Sequence, residues 1–235
     1  MTARKNLDLS AYLVIGPENT LGRPVAPIVA GAIKAGFTCV QIRSKSASAR
    51  ELIELSRSAA AAIAESGGTG RVALLIDDRL DVALATRSLG IAVDGVHVGQ
   101  SDIPVDICRR YLGPDAIIGL SARTHELFDS VADAYISCID YFGVGPLHAT
   151  PTKPDCGLDA DGSIATRSLA EISQSAKCCP VPIVVGGGVK ASDLPALART
   201  GAAGFFVVSA VAGADVPESA ASVLIRAWRS GKANA

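Results

Sequence analysis

Short apolar runs recur along the chain at near-even intervals. They are Ala11–Ile15, Thr38–Ile42, Val72–Ile76, Gly95–Val98, Ala116–Leu120, Tyr141–Val144, Ile183–Val185 and Gly204–Val208. Most are continuous rather than alternating, the pattern of a strand buried on both faces, which favours a parallel sheet covered by helices. Between them lie stretches with helical spacing: one near Pro24–Ala35, then Ala47–Glu65, Leu80–Leu89, Val105–Leu112, Leu127–Ala134, Ser163–Ala176, Ser192–Thr200 and Glu218–Arg229. Ser48 precedes Glu51 in the spacing of a capping box. Thr124 and Ser192 stand where helices should start, and prolines occupy the first turn of the first helix. Ala35-Gly36, Gly90 and Gly201 each end a helix with a residue suited to a left-handed cap.

Eight such units over 235 residues average about 29 residues each, the size of the repeating unit in a small (β/α)8 barrel. A doubly wound open sheet is the competitor. It would usually carry GxGxxG after its first strand, and here that place holds Gly16-Pro17-Glu18. The predicted fold is therefore an α/β TIM barrel, a single domain over residues 1–235 with its core at about 8–229, since no linker or low-complexity tract divides the chain.

Composition narrows the function classes. Hydrophobic residues make up 49%, enough for a sizeable core. Lys+Arg 22 against Asp+Glu 23 gives a net charge of -1, so no broad basic face is expected for nucleic acid or an acidic membrane. The longest nearly apolar stretch, Gly201–Ala214, is shorter than the roughly 20 residues of a membrane span, and Met1–Ser10 is polar. The six cysteines show no CxxC pattern and read as reduced thiols of a cytoplasmic protein.

The active site of such a barrel lies at the C-terminal ends of its strands, and polar residues gather there in this sequence. The second strand runs into Gln41-Ile42-Arg43-Ser44-Lys45, where alternate residues share a face if the strand persists. Two cations and an amide facing one way suggest an anion site, with a solvated strand end as the alternative. The third strand ends in Asp77-Asp78-Arg79 and the fourth leads to Gly99-Gln100-Ser101-Asp102. Asp78 and Asp102 either face one shared magnesium ion with substrate phosphates or cap the helices that follow. Beyond the sixth strand stands Thr150-Pro151-Thr152-Lys153, beyond the seventh Gly186-Gly187-Gly188, and the eighth ends in Val208-Ser209. Loops after strands seven and eight often bind a phosphate in these barrels. Two anion sites are thus expected, one cationic and metal-assisted, the other built largely of backbone. That suits group transfer with diphosphate leaving.

With these segments in view the chain resembles the thiamine phosphate synthase (thiamine-phosphate pyrophosphorylase) family from about Tyr12 to about Trp228. The matching segments are Val40–Lys45, Asp77-Asp78-Arg79, Gly95–Asp102, Gly119-Leu120-Ser121, Gly143–Pro146 through Thr150–Lys153, Gly186–Val189 and Val207–Ala210. The resemblance implies a magnesium-dependent transferase. It would join 4-amino-5-hydroxymethyl-2-methylpyrimidine diphosphate to 4-methyl-5-hydroxyethylthiazole phosphate, giving thiamine monophosphate and diphosphate. Its partners would be these small molecules only.

Residue by residue, the resemblance implies that Gln41, Ile42, Arg43, Ser44, Lys45 and Asp77 hold the pyrimidine diphosphate and that Asp78 and Asp102 bind magnesium. Ser121 would contact the pyrimidine diphosphate. Thr150, Pro151, Thr152, Gly187, Val208 and Ser209 would receive the thiazole phosphate, with Lys153 near the diphosphate. Arg43, Lys45, Ser121 and Lys153 form the implied catalytic set. Asp77 stands where the family usually has Asn, and Arg123 where it often has His. His97 alternates with apolar neighbours and is expected to be a packed strand residue. The rivals are a relative that tautomerises the thiazole phosphate, a non-catalytic binder of thiazole or thiamine phosphate, and an unrelated phosphosugar barrel enzyme.

Overall fold

Eight strands form a closed parallel barrel in a computed structural model of the chain, which describes residues 3–121, 135–150 and 165–233. They are β1 (Ala11–Ile15), β2 (Cys39–Ile42), β3 (Ala73–Asp77), β4 (Gly95–Val98), β5 (Ile117–Ser121), β6 (Tyr141–Val144), β7 (Ile183–Val185) and β8 (Gly204–Val207). Each pairs with the next, and β8 closes on β1 through Tyr12 opposite Phe206. The (β/α)8 barrel expected from the apolar spacing is what the chain forms.

Side-chain parity explains why the strands read as unbroken apolar runs. Leu13, Val40, Leu74, Val96, Ile118, Phe142 and Val185 point outward into the core shared with the helices. Tyr12, Cys39, Leu75, Ile117, Tyr141 and Val184 fill the inside of the barrel. Both faces are dry, so alternation between two cores looks like continuity. Higher along the same inner faces come Gln41, Asp77, His97 and Ser121. The barrel interior therefore turns polar at its C-terminal mouth.

Strand limits differ from expectation by a residue at four strands. β3 and β5 run one residue further, because Asp77 stays in register with His97 and Ser121 with Gly143. β2 starts later, since Thr38 exchanges hydrogen bonds with Ala11 ahead of the strand. β8 stops at Val207, as Val208 turns the chain into the next helix.

The described helices are α1 (Val25–Ala35), α2 (Ala49–Glu65), α3 (Leu80–Ser88), α4 (Val105–Leu112), α5 (Leu169–Cys178), α6 (Leu194–Leu197), α7 (Ser209–Ala212) and α8 (Pro217–Ala233). Ser48 and Glu51 form the expected capping box. Gly36, Gly90 and Gly201 all have positive φ after their helices, as expected. α5 starts at Leu169 rather than Ser163, because Ser168 and Glu171 make a second capping box there. Ser192 does not begin a helix; α6 follows Asp193, whose carboxylate instead accepts from the Lys190 amide at 2.8 Å. The expected helix Leu127–Ala134 and Thr124 lie outside the described residues. Trp228 of α8 packs on Phe205 of β8 with ring centroids 5.5 Å apart.

The opposite, N-terminal end is stitched by ion pairs. Arg109 Nη2 reaches Asp140 Oδ2 at 2.7 Å, and the same oxygen accepts from the Ile118 amide at 2.7 Å. Charge at that end serves the sheet. Charge at the mouth has a different arrangement.

Candidate functional site

Asp77, the last residue of β3, gathers the side chains of the neighbouring strand. Gln41 Nε2 donates to its Oδ1 at 3.1 Å. Arg43 Nε lies 3.2 Å and Lys45 Nζ 3.7 Å from its Oδ2. Lys45 also bonds Asp78. β2 ends at Ile42, yet its inward parity continues into the loop, so Gln41, Arg43 and Lys45 do converge. Ile42 itself faces the outer core, so at the mouth it presents only backbone. Ser44 turns the other way: its hydroxyl and that of Ser46 donate to Glu18, in the turn after β1.

Asp78 adopts φ 58°, the left-handed region, directly after β3. Its amide donates to the His97 carbonyl at 2.8 Å. The chain thus turns sharply and brings Asp78 beside Asp102, close enough for their carboxyls to share a hydrogen bond. Neither acts as a helix cap. α3 and α4 begin behind Arg79 and Pro104 with no side-chain cap, and Asp102 Oδ2 accepts from the Gly99 amide at 2.8 Å. Of the two readings left open by the sequence, capping is therefore not the one adopted.

Three carboxylates crowd two cations, and their acidities record it. Burial, then the Asp78 charge, push the Asp77 carboxyl up to about 7 against the pull of Arg43 and Lys45. Burial also works on Asp78, but hydrogen bonds from Lys45 and its neighbours outweigh it and hold that carboxyl below its usual value. Asp102 is raised by burial and by Asp78. Burial opposes the charge on Lys45, yet the two aspartates lift its pKa overall. Two facing carboxylates suit a hard divalent cation. Among the described residues no group of three or more such side chains could hold a metal. Two carboxylates with water and substrate phosphates form a donor set that fits magnesium.

The far side of the mouth is built from the loops after β6, β7 and β8. Leu147 and His148 donate their amides to the Gly186 and Gly187 carbonyls at 2.9 Å each, and His148 Nε2 lies 2.9 Å from Asp193 Oδ2. Gly187 has φ +80°, and a Cβ there would sit 2.5 Å from Pro146 Cβ, so both backbone and space demand glycine. Thr150 ends this described loop, and Val208 caps α7, which begins at Ser209. Pro151, Thr152, Lys153 and Arg123 lie outside the described residues.

Known proteins share this plan. The profile of the family described as thiamine monophosphate synthase matches residues 11–211. A thiamine-phosphate synthase of Corynebacterium efficiens is 39% identical over 229 residues, covering 97% of this chain and 99% of its own. The chain belongs to the thiamine monophosphate synthase family. As a member of it, the chain is a transferase. The thiamine-phosphate synthase of Moorella thermoacetica is 37% identical over 203 residues, 86% of this chain and 88% of its own. Among solved structures, a thiamine phosphate pyrophosphorylase from Pyrococcus furiosus aligns with TM-score 0.77 at 25% identity, over 96% of this chain and 98% of that one. A 3-hexulose-6-phosphate synthase aligns with TM-score 0.59 at 16% identity, a likeness of fold alone.

Within this thiamine monophosphate synthase family member, several residues at the mouth escaped the sequence reading. Glu18 anchors the loop that carries Arg43 and Lys45. Gln100 Nε2 donates to the Ser121 carbonyl at 2.8 Å. His97 bonds both Tyr141 and Ser121. The available signal was parity: His97 lies two residues beyond Gly95, on the strand's inner face.

The raised pKa of Asp77 has a sign that can be tested. In the unfolded chain the group ionises near pH ~4; in the fold it resists until about 7. Stability is therefore untouched by this group below the unfolded value and falls as pH rises between the two. Asp77→Asn removes that loss. In metal-free buffer the variant's thermal midpoint should gain on wild type between about pH 4.5 and about pH 7.5. A gap that stays constant with pH would mean that Asp77 ionises normally.

Proposed function

We propose that this chain condenses 4-amino-5-hydroxymethyl-2-methylpyrimidine diphosphate with 4-methyl-5-hydroxyethylthiazole phosphate to give thiamine monophosphate and diphosphate. The observation that carries the reading is the convergence of Gln41, Arg43 and Lys45 on Asp77 and Asp78 at the rim of the barrel. Family membership supports it.

The bond that breaks joins the pyrimidine's exocyclic methylene carbon to a diphosphate oxygen. The bond that forms joins that carbon to the thiazole nitrogen. The bonding electron pair leaves with the diphosphate, so no base is required at the reacting carbon. Catalysis reduces mainly to stabilising charge on the leaving oxygens. Arg43 is largely buried and can grip two oxygens at once. Lys45 is 60% exposed at its side chain, so it can turn from Asp78 toward the diphosphate. Gln41 fixes one edge of the pyrimidine site, and Ser121 offers a hydroxyl from β5. Magnesium, held by Asp78 and Asp102, would supply further positive charge to the phosphates. By the family resemblance, Thr150, Pro151, Thr152, Gly187, Val208 and Ser209 would receive the thiazole phosphate, and Lys153 would serve the diphosphate.

The protein works as one barrel domain on small molecules. No described helix is long and apolar enough to cross a membrane. The described cysteines are all free thiols, which supports a reducing, cytoplasmic setting.

The test mixes purified protein with both phosphorylated substrates and magnesium and measures thiamine monophosphate and released diphosphate. Isomerised thiazole phosphate without coupling would indicate a tautomerase instead. Binding without turnover would indicate a regulator. Lys45→Ala and Asp102→Ala should each lower turnover at least about tenfold, about 1.4 kcal/mol in the barrier. Near-wild-type rates in both would remove these residues from the site.

A further inference from the structure

A hydrogen-bonded file of four side chains climbs the inside of the barrel to the mouth. Tyr12 Oη lies 2.9 Å from Tyr141 Oη, Tyr141 Oη lies 2.9 Å from His97 Nδ1, and His97 Nε2 lies 2.8 Å from Ser121 Oγ. The two phenols are 2% and 0% exposed. Such a file costs free energy in an otherwise apolar interior unless every member is satisfied.

The barrel is shaped to admit it. A Cβ on Gly119 would sit 2.2 Å from Tyr141 Cζ and 2.5 Å from His97 Nδ1, and one on Gly143 would sit 3.0 Å from His97 Cε1. Phenol and imidazole occupy the space that inward side chains of β5 and β6 would otherwise fill. The file also has a preferred direction. Burial holds both phenols un-ionised, so each has one proton to donate. Tyr12 stands at the inner end with the Cys39 thiol nearby, and sulfur is a weak acceptor. The Tyr141 oxygen is a better acceptor for the Tyr12 proton than the Cys39 sulfur, and that order sends the Tyr141 proton to His97 Nδ1. In the neutral ring this leaves the proton on Nε2, directed at Ser121 Oγ.

We propose that His97 is a positioning residue for Ser121: its Nε2–H occupies a lone pair of Oγ, so the hydroxyl proton of Ser121 is aimed at a leaving-group oxygen of the diphosphate. Gln100 restrains the same residue through its backbone carbonyl. Tyr141 and Tyr12 set the tautomer from below. The inference rests on the proposed condensation for its consequence, but not for its geometry.

The test therefore has two arms. In the first, nitrogen-15 spectra of labelled histidine report the ring tautomer, with the His97 signal assigned by its loss in His97→Gln. The Nε2–H form is expected in wild type, with a shift toward a mixture in Tyr141→Phe. A wild-type ring protonated at Nδ1 overturns the proposal, whatever the activity. In the second, kcat and KM are measured with the pyrimidine diphosphate, the thiazole phosphate and magnesium. His97→Phe keeps the ring shape without a donor and should lower kcat at least about tenfold, with the KM for thiazole phosphate changed less than about twofold. His97→Gln, which can donate from a similar position, should recover to within about fivefold of wild type. In the Ser121→Ala background, His97→Phe should cost no more than about twofold further, because its target is gone. A full tenfold loss in both backgrounds would reduce His97 to packing and overturn the proposal. Absence of coupling by wild type would sink the assigned reaction instead, leaving the spectra to judge the tautomer.

Discussion

Asp78→Asn is expected to lower turnover at least about 100-fold, about 2.7 kcal/mol in the barrier, with only a modest fall in thermal midpoint at neutral pH. The substitution keeps the shape of the side chain, and Asn tolerates the left-handed backbone at φ 58° that Ala would strain. What it removes is charge. Asp78 is the hub of the mouth: it is bonded by Lys45, pushes up the pKa of Asp77 and faces Asp102. With the amide, Asp77 and Asp102 lose a like-charged neighbour, but the ion pair with Lys45 that holds Asp78 ionised goes too, so the fold loses a little stability at neutral pH. The proposed metal pair is left with one carboxylate, which disfavours binding of magnesium and diphosphate. Activity lost far beyond what a small stability change explains separates a functional carboxylate from a structural one. Steady-state kinetics with a magnesium titration, alongside thermal melts, will check this. A variant that turns over within about threefold of wild type would remove Asp78 from the centre of the site.

Gly95→Ala should have the largest effect on the fold, about 3 kcal/mol or more. An added Cβ would lie 1.7 Å from the Ile117 carbonyl oxygen and 2.6 Å from its carbon. Those atoms belong to the adjacent strand β5, whose backbone is held in register by Gly95–Ile117 pairing. Neither strand can yield without opening the closed sheet. For a chain of this size the expected fall in thermal midpoint is about 6–12 °C. Unchanged melting would show that β4 and β5 lie further apart than described. The site need not be touched directly for activity to suffer, because β4 carries His97 and leads into Asp102.

The two expected results sit at opposite ends of one strand pair, and the sequence revealed them unequally. Strands β1, β4, β6 and β7 have the limits their apolar runs predict. The capping box at Ser48 and the glycines after three helices are also where they were expected. The run of Gln41, Arg43 and Lys45 was readable as one face because strand parity is local. The start of α5 was legible too: Ser168 and Glu171 carry the same cap spacing as Ser48 and Glu51, and the apolar pattern before them obscured it.

Other features depend on contacts between distant parts of the chain. Asp78 could be a cap or a metal ligand from sequence; the turn at φ 58° aims it at Asp102 instead of α3. The resemblance put Ser44 among the residues holding the pyrimidine diphosphate, yet its hydroxyl bonds Glu18 from another loop. His97 read as packing because its apolar neighbours on both sides hid which face was the barrel interior.

By itself the sequence determined the order of strands and helices, the end of each strand where polar groups collect, and the family. Periodicity, caps and turn residues act over a few positions, so they are visible along the chain. Only strand register and the closure of β8 onto β1 decided which of those groups meet. Closure gives every strand a dry inner face and sets Tyr12 of β1 against Tyr141 of β6, while register between neighbouring strands sets Asp77 beside Arg43 and Ser121 beside His97. Their partners are chosen by the barrel's curvature and register, which no local pattern encodes.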